Sequence, residues 1–361
     1  MIELAVPGDW RWQLRHAVRS VAELERHLSL TPEELEGARH AEDQGFPLAI
    51  TPYYLSLCDR EDPNCPIRRQ VVPLAAEQRS VAGDLRDPLG EEAHEVAPEL
   101  VQRYPDRALL LVSDRCAVYC RFCTRSRMVG DGGGPRSDAR LAAAFTYLET
   151  HPEVRDVIVS GGDPLTMATE RLLRIIERLR TIPSVETIRL ATRVPVALPQ
   201  RITDELLGAL KPHHPLWVMT HFNHPKELTE ESRAALCRLA DNGFPVMNQT
   251  VLLRGVNDDS RVLTELFRGL VKVRARPYYL LQADPVRGSG HLRTPLATGI
   301  RIAEELQGRL SGIALPKFIV DTPGGFGKVP VGPEWVVHRA PGVTRFRTPR
   351  GVEVDYVDPP E

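Results

Sequence analysis

Lysine is scarce in this chain. Only Lys211, Lys226, Lys272, Lys317 and Lys328 occur among 361 residues, against 46 Lys and Arg together, so nearly all positive charge is guanidinium. A lysine placed where chemistry needs an amine is therefore more informative than usual. Charge of one sign is also missing in bulk: 48 Asp and Glu leave a formal net charge of −2, without the basic surplus of a nucleic-acid-binding chain. Long apolar runs are absent. Stretches such as Ala108 to Val112 fall far short of the roughly 20 residues a membrane helix needs, so no membrane partner is expected. The opening MIELAVPGDWRW has neither the basic start nor the apolar stretch of a secretory signal, and the expected location is the cytoplasm. Cysteines number six, namely Cys58, Cys65, Cys116, Cys120, Cys123 and Cys237. Three of them crowd into eight residues, which reads as a ligand set and not as a disulfide framework.

At about 150 residues per domain, the length suits two domains or one large α/β barrel with appendages. Leu14, Val18, Val21, Leu24 and Leu28 recur at three- and four-residue steps and predict an amphipathic helix over 10–29. Thr31, Pro32 and Glu34 open a second helix as N-cap, first-turn proline and capping-box glutamate. The acidic stretch GDLRDPLGEEAHEVAPE, over 83–99, is broken by Pro and Gly and reads as a connector. Beyond it, six apolar strands alternate with helical segments: Ala108 to Ser113, Asp156 to Ser160, Thr187 to Ala191, Leu216 to Thr220, Pro245 to Thr250 and Pro277 to Gln282. A helix over Thr229 to Asp241, closed by Asn242 and Gly243, is one of the intervening segments. The expected fold is α/β, a partial (β/α)6 barrel over 101–320, with an N-terminal helical region and connector over 1–100 and a C-terminal segment over 321–361. Function in such folds gathers at the C-terminal ends of the strands. Arg350 and Gly351 predict a hairpin turn near the end.

After the first expected strand come Cys116, Cys120 and Cys123, spaced Cys-x3-Cys-x2-Cys. Soft thiolates packed this closely suit an iron–sulfur cluster, and three of them on a four-iron cube leave one iron open to a small molecule. A three-thiolate zinc site and a Cys-x2-Cys redox pair are the plainer alternatives, and neither requires the first cysteine at its distance. The arrangement resembles the signature of radical S-adenosylmethionine enzymes. That resemblance implies a [4Fe-4S] cluster which, when reduced, cleaves S-adenosylmethionine to methionine and a 5′-deoxyadenosyl radical. Ser160, Gly161, Gly162 and Asp163 close the second strand; glycines permit close approach to a ligand, and the carboxylate accepts from an ammonium. Alone this is a common strand-to-turn sequence, but beside the cysteines it resembles the segment for the amino group of S-adenosylmethionine. Arg193, His221 and Gln249 stand at or after the ends of strands three, four and five, as further S-adenosylmethionine-side candidates or as satisfied structural polar residues.

Lys328 sits in the loop PGGFGK. An amine there suits a Schiff base with pyridoxal phosphate, which a guanidinium cannot form, and a plain surface turn is the alternative. A phosphate loop of the Walker type fails, because no Ser or Thr follows the lysine. The segments CAVYCRFCTRSR, ITPYYLSLCDREDPNCPIRRQ, HFNHPKELTEES, RPYYLLQADPVRGSGHLRTP and PGGFGK together resemble the lysine 2,3-aminomutase family over nearly the whole chain. The resemblance implies that Cys116, Cys120 and Cys123 hold the cluster and that Lys328 holds pyridoxal phosphate. It also implies that Arg103, Tyr104 and Arg107 grip the phosphate side of that cofactor, that Arg125 pairs with the substrate carboxylate, and that Asp284 and Asp321 hold a side-chain ammonium. Strand-end caps are the plain reading of the two aspartates. The implied reaction is isomerisation of L-lysine to β-lysine by migration of nitrogen from C2 to C3. Arginine or another amino acid is the nearest alternative substrate, and a non-catalytic iron–sulfur electron carrier or sensor is the alternative of another class. A related aminomutase that prepares β-lysine for a translation factor carries Cys-Phe-Arg-Arg after the cluster, unlike CTRSR here.

Three departures stand out: Ser126 where another arginine is common, Phe326 where the cofactor loop has glycine, and no cysteines in the tail, with Asp259 where a partner cysteine would lie. No zinc is expected for that reason. Expected partners are the amino acid substrate, an electron donor such as flavodoxin or ferredoxin, and further copies of the chain.

Overall fold

The short apolar segments become the middle of a single sheet. The computed structural model describes residues 8–43, 45–130 and 134–359, so most of the opening stretch and the last two residues lie outside it. Its strands are β1 (Glu95–Ala97), β2 (Leu100–Tyr104), β3 (Arg107–Ser113), β4 (Asp156–Gly161), β5 (Thr187–Ala191), β6 (Leu216–Thr220), β7 (Val246–Leu252), β8 (Ala275–Gln282), β9 (Lys317–Thr322) and β10 (Gly327–Pro330), side by side in chain order. β3 to β9 are parallel, β1 and β2 extend one edge antiparallel, and β10 folds back antiparallel on β9. Parallel neighbours need long crossovers, which helices provide. Leu172, Ile175, Ile176 and Leu179 of helix Thr169–Arg180 are buried at helical spacing, as are Leu263, Leu266, Phe267 and Leu270 of helix Ser260–Lys272. These side chains share one core with Val157, Val159, Ile188, Leu190, Val218 and Leu280 of the strands. Each such burial contributes roughly 1.5–3 kcal/mol.

The sheet curves until its two ends meet. Arg103 of β2 donates to Asp321 of β9 across 2.6 Å, and the Tyr104 hydroxyl accepts from the backbone N–H of Lys328 in β10 at 2.9 Å. Strands at opposite ends of the order are thus joined by side chains without a backbone ladder between them, which is a partial barrel. The expected strands are all present, but the parallel run has a seventh member. β9 follows Pro316 and carries only Phe318, Ile319 and Val320 as an apolar run, too short to announce itself beside the glycine loop.

The apolar spacing over 10–29 does not yield one helix. Trp10–Arg15 and Val21–His27 are separate, because Val18 between them pairs with Ile50 through two backbone bonds, of 2.8 and 3.0 Å. Ser20 and Glu23 then start the second helix with a capping box. Thr31 and Glu34 cap Pro32–Asp43 as expected. The same Glu34 takes two bonds, of 2.7 and 2.6 Å, from the fully buried Arg68. Removing one partner of such a pair costs about 3–5 kcal/mol, so loss of either Glu34 or Arg68 would loosen this layer. It in turn fixes the loop after β3. Val118 bridges to Ile50, Tyr119 N–H donates to Ala49 O at 2.9 Å, and Arg121 donates to the carbonyls of Phe46 and Pro47 at 3.0 Å and to Glu77.

The chain ends in a second sheet, β11 (Val336–Ala340), β12 (Val343–Arg347) and β13 (Glu353–Val357), with Arg350 and Gly351 in the β12–β13 turn. No helix among the described residues is long and apolar enough to cross a membrane.

Candidate active site

Cys116, Cys120 and Cys123 lie on the loop after β3, at the C-terminal end of the parallel strands. Cys116 and Cys123 pack against Ala49, Tyr119 and Val129, and Cys120 against Phe122, Leu253 and Ala283. Burial pushes the Cys116 thiol well up and that of Cys123 up to about 11. A metal cation that takes the proton's place brings thiols to the thiolate form. Three soft thiolates on one short loop are the donors a four-iron cube takes, one iron to each. The donor set fits the cube.

Around it, the predicted S-adenosylmethionine-side residues are gathered but heavily engaged with the protein. Gly161 has φ +119°, and a Cβ there would stand 2.2 Å from Ser113 O; one on Gly162 would stand 2.4 Å from Arg115 O. The glycines thus serve the approach of this loop to the cysteine loop's own backbone. Asp163 is buried and accepts from Thr192 Oγ1 at 2.7 Å, Arg193 N–H at 2.6 Å and Leu165 N–H at 3.0 Å. Arg193 donates to Cys120 Sγ at 2.6 Å, Gln70 Oε1 at 2.6 Å, Glu227 Oε1 at 2.8 Å and Tyr54 Oη at 3.1 Å. Burial opposes its charge, but Cys120, Tyr54 and Glu227 more than offset that. His221 bonds Asn223 Oδ1 at 3.0 Å and packs edge-on against Phe122; burial lowers its pKa to about 3, so it is neutral. Gln249 is half-buried in β7, opposite Tyr279. Two buried polar atoms here, Arg193 Nε and Thr220 Oγ1, have no protein partner, and a polar ligand at these strand ends would satisfy them.

The lysine lies on the far edge. β9 and β10 place Lys328 directly opposite Asp321, so both side chains share a face and form an ion pair. Asp321 also binds Arg103; burial alone would raise its pKa, but Arg103 and Lys328 hold it below the ordinary carboxylate value. Tyr104 meets the Lys328 backbone, and the Arg107 guanidinium lies 4.4 Å over the Tyr104 ring. The three residues predicted for the phosphate side therefore stand beside the predicted lysine. A primary amine with two arginines and a phenol around it fits pyridoxal phosphate. Asp284, just past β8, is pushed up to about 7 by burial and by the charge of Asp321.

Arg125 completes the constellation and brings in a residue the sequence reading missed. Its Nε donates to Glu91 Oε1 at 2.9 Å, its Nη2 lies 2.8 Å from the same oxygen, and its Nη1 reaches Ser160 Oγ at 3.4 Å. Tyr54, Gln70 and Glu227 were likewise unassigned, although all three lie inside the distinctive segments quoted above or in helix-capping sequence. Ser126 lies on the same loop, half-buried, while Phe326 is 89% exposed at the tip of the lysine loop.

Two family models match the chain: the radical SAM superfamily over residues 110–267 and lysine-2,3-aminomutase over 303–361. The chain is 49% identical over 352 residues to an L-lysine 2,3-aminomutase of Acetoanaerobium sticklandii, covering 98% of this chain and 85% of the relative. It is also 49% identical over 352 residues to that of Clostridium subterminale, covering 98% and 84%. A glutamate 2,3-aminomutase of Clostridioides difficile is 41% identical over 353 residues, covering 98% and 83%.

Proposed function

The chain belongs to the lysine 2,3-aminomutase family of radical S-adenosylmethionine enzymes, and from that premise we propose that it converts L-lysine to β-lysine, with Asp284 and Asp321 taking the terminal ammonium and Arg125 the carboxylate. The reduced cluster with S-adenosylmethionine supplies a carbon radical that removes hydrogen, and pyridoxal phosphate supplies a conjugated ring to carry the migrating nitrogen. Cys116, Cys120 and Cys123 would hold the first, with the loops of Ser160 to Asp163, Arg193, His221 and Gln249 on its S-adenosylmethionine side. Lys328, Arg103, Tyr104 and Arg107 would hold the second. The protein's own contribution is placement: a substrate gripped at both ends brings C3 to one defined position.

The observation that carries the substrate assignment is the ammonium already resting on Asp321. Lys328 is itself a primary alkylamine, and its charge sits on that buried carboxylate with Arg103 beside it. A glutamate side chain would bring a third carboxylate to Asp284 and Asp321, an arrangement that like-charge repulsion opposes. The proposal includes a cytoplasmic location, a one-electron donor such as flavodoxin or ferredoxin, and an assembly of like chains, which the exposed Val354, Tyr356 and Val357 of β13 favour.

The test is an anaerobic assay of reconstituted protein with S-adenosylmethionine, pyridoxal phosphate and a reductant, offering lysine, arginine and glutamate separately and resolving isomers by mass spectrometry. β-Lysine alone is the expected product. β-Arginine or β-glutamate as the main product would overturn the ammonium pocket, and no isomer from any of them would overturn the proposal.

Lysine affinity should also depend on pH through Asp284. Asp321 and Glu91 face it as anions, Lys328 and Arg103 as cations, and burial with Asp321 dominates. Below its pKa of about 7 the group is a neutral acid; above, it is the carboxylate an ammonium prefers. Dissociation constants for lysine should therefore fall as pH rises from about 6 to 8, by up to about tenfold per unit on the acid side. Asp284→Asn should flatten that profile. An unchanged profile would remove Asp284 from ammonium binding.

A further inference from the structure

We propose that Glu91 is a positioning residue for substrate recognition: it holds the Arg125 guanidinium by its Nε–Nη2 edge, so that the remaining Nη1 faces Ser160 and the barrel interior where the substrate carboxylate is met. The inference rests on the assignment of Arg125 to that carboxylate. Glu91 comes from the acidic stretch whose composition reads as a mere connector, yet it is buried. Its Oε1 takes Arg125 Nε at 2.9 Å and Nη2 at 2.8 Å, and its Oε2 takes Arg127 Nη2 at 3.1 Å. Burial alone would raise its pKa; Arg125 and Arg127 overcome that and keep it a carboxylate. Two nitrogens of one guanidinium edge held on a single buried carboxylate restrict its rotation more than one bond does.

The surrounding stretch ties this grip to the rest of the site. Leu85 N–H donates to Pro285 O at 2.8 Å and Arg287 N–H to Leu85 O at 3.0 Å, binding the stretch to the loop of Asp284. Asp84 pairs with Arg293 at 2.6 Å. Gly324 N–H donates to Pro88 O at 3.0 Å, and a Cβ on Gly90 would stand 2.6 Å from Gly324 O, so the stretch also presses on the loop of Lys328. Glu91 and Glu92 meet Arg127, next but one to Arg125. One segment thus touches the loops assigned to the substrate's ammonium, the cofactor and the carboxylate, and Glu91 is its contact with Arg125 itself. Without Glu91, Arg127 still pairs with Asp87 and Glu92, whereas Arg125 loses the carboxylate that holds it, and the substrate carboxylate would meet a mobile cation.

The test compares lysine with 1,5-diaminopentane, which is lysine without its carboxylate, as ligands of the holoenzyme loaded with cluster and pyridoxal phosphate. Dissociation constants come from titration of the bound cofactor's visible absorbance, alongside iron and pyridoxal phosphate content. Glu91→Gln should weaken lysine by about ten- to fiftyfold and leave diaminopentane within about twofold, because only the carboxylate's partner is displaced. Glu91→Asp, which keeps the charge on a shorter arm, should recover part of the loss. A merely structural role would weaken both ligands alike or strip iron and cofactor, and either result overturns the proposal. Arg125→Ala provides the control. If it too leaves the lysine-to-diaminopentane ratio at the wild-type value, the carboxylate assignment fails and Glu91 falls with it; if it collapses the ratio while Glu91→Gln does not, Glu91 alone is wrong.

Discussion

Lys328→Ala should abolish lysine turnover, by at least on the order of a thousandfold, and eliminate the visible absorbance of bound pyridoxal phosphate, while iron content and S-adenosylmethionine binding stay at wild-type levels. The separation follows from how the two ends of the site are built. The cysteine loop is held by Ile50, Ala49, Gln70 and the carbonyls of Phe46 and Pro47 through Val118, Tyr119 and Arg121, and none of these contacts involves β10. Lys328 enters the fold through its backbone, paired with Asp321 and donating to Tyr104, and alanine keeps both of those bonds. What alanine removes is an amine and a charge. Lys328→Arg divides the two, because a guanidinium can still rest on Asp321 but cannot form an imine. It should fold and load iron as the wild type does, yet remain inactive. Appreciable lysine turnover by Lys328→Arg would mean that the residue serves only as an ion-pair partner, and iron loss in Lys328→Ala would mean that the two cofactor sites are not separate.

Much of this site was legible in the sequence because its signals are local. The cysteine spacing needs only eight residues, the capping boxes four, and the strand ends advertise themselves by a polar or glycine residue after an apolar run. Contacts that join distant parts of the chain left weaker traces. Arg193 reads as a lone polar residue after a strand, whereas in the fold it meets Gln70, Tyr54 and Glu227, respectively 123, 139 and 34 positions away. Those partners lie in ITPYYLSLCDREDPNCPIRRQ and HFNHPKELTEES, which together supply walls of one buried polar network. Glu91 was hidden for a different reason. A carboxylate among Pro, Gly and other acids carries no periodicity, and composition assigns such a stretch to solvent. Only its guanidinium partners, 34 and 36 residues onward, reveal that it is interior. Asp163 runs the other way. The sequence suggests a carboxylate facing a ligand, and the fold adds three protein donors, Leu165, Thr192 and Arg193, to its two oxygens.

The same distinction between a committed and an uncommitted carboxylate makes the two aspartates unequal, and Asp321→Asn should be far more damaging than Asp284→Asn before pyridoxal phosphate or substrate is bound. Asp321 is ionised and carries Arg103 and Lys328 on its two oxygens, with little of its side chain exposed. An amide in its place leaves two cations adjacent and uncompensated, at about 3–5 kcal/mol for a buried pair deprived of one partner. The variant should unfold at lower temperature, and its deficit should shrink in acid, since a carboxylate with a depressed pKa stabilises the fold above its ordinary titration range and loses that contribution as pH falls through the lowered value. Asp284 is different in kind. Near neutral pH it is already partly protonated, so asparagine imitates a form the protein visits anyway, and thermal stability should change by less than about 1 kcal/mol. The two variants should converge only when lysine is added. Each then presents one carboxylate fewer to the ammonium, and lysine turnover at a fixed subsaturating concentration should fall by about two to three orders of magnitude in both. Thermal unfolding followed with and without lysine separates the effects. Equal destabilisation of the two variants without substrate would mean that Asp284 shares the resting charge of Lys328 and Arg103, and the division between a structural and a waiting carboxylate would be wrong.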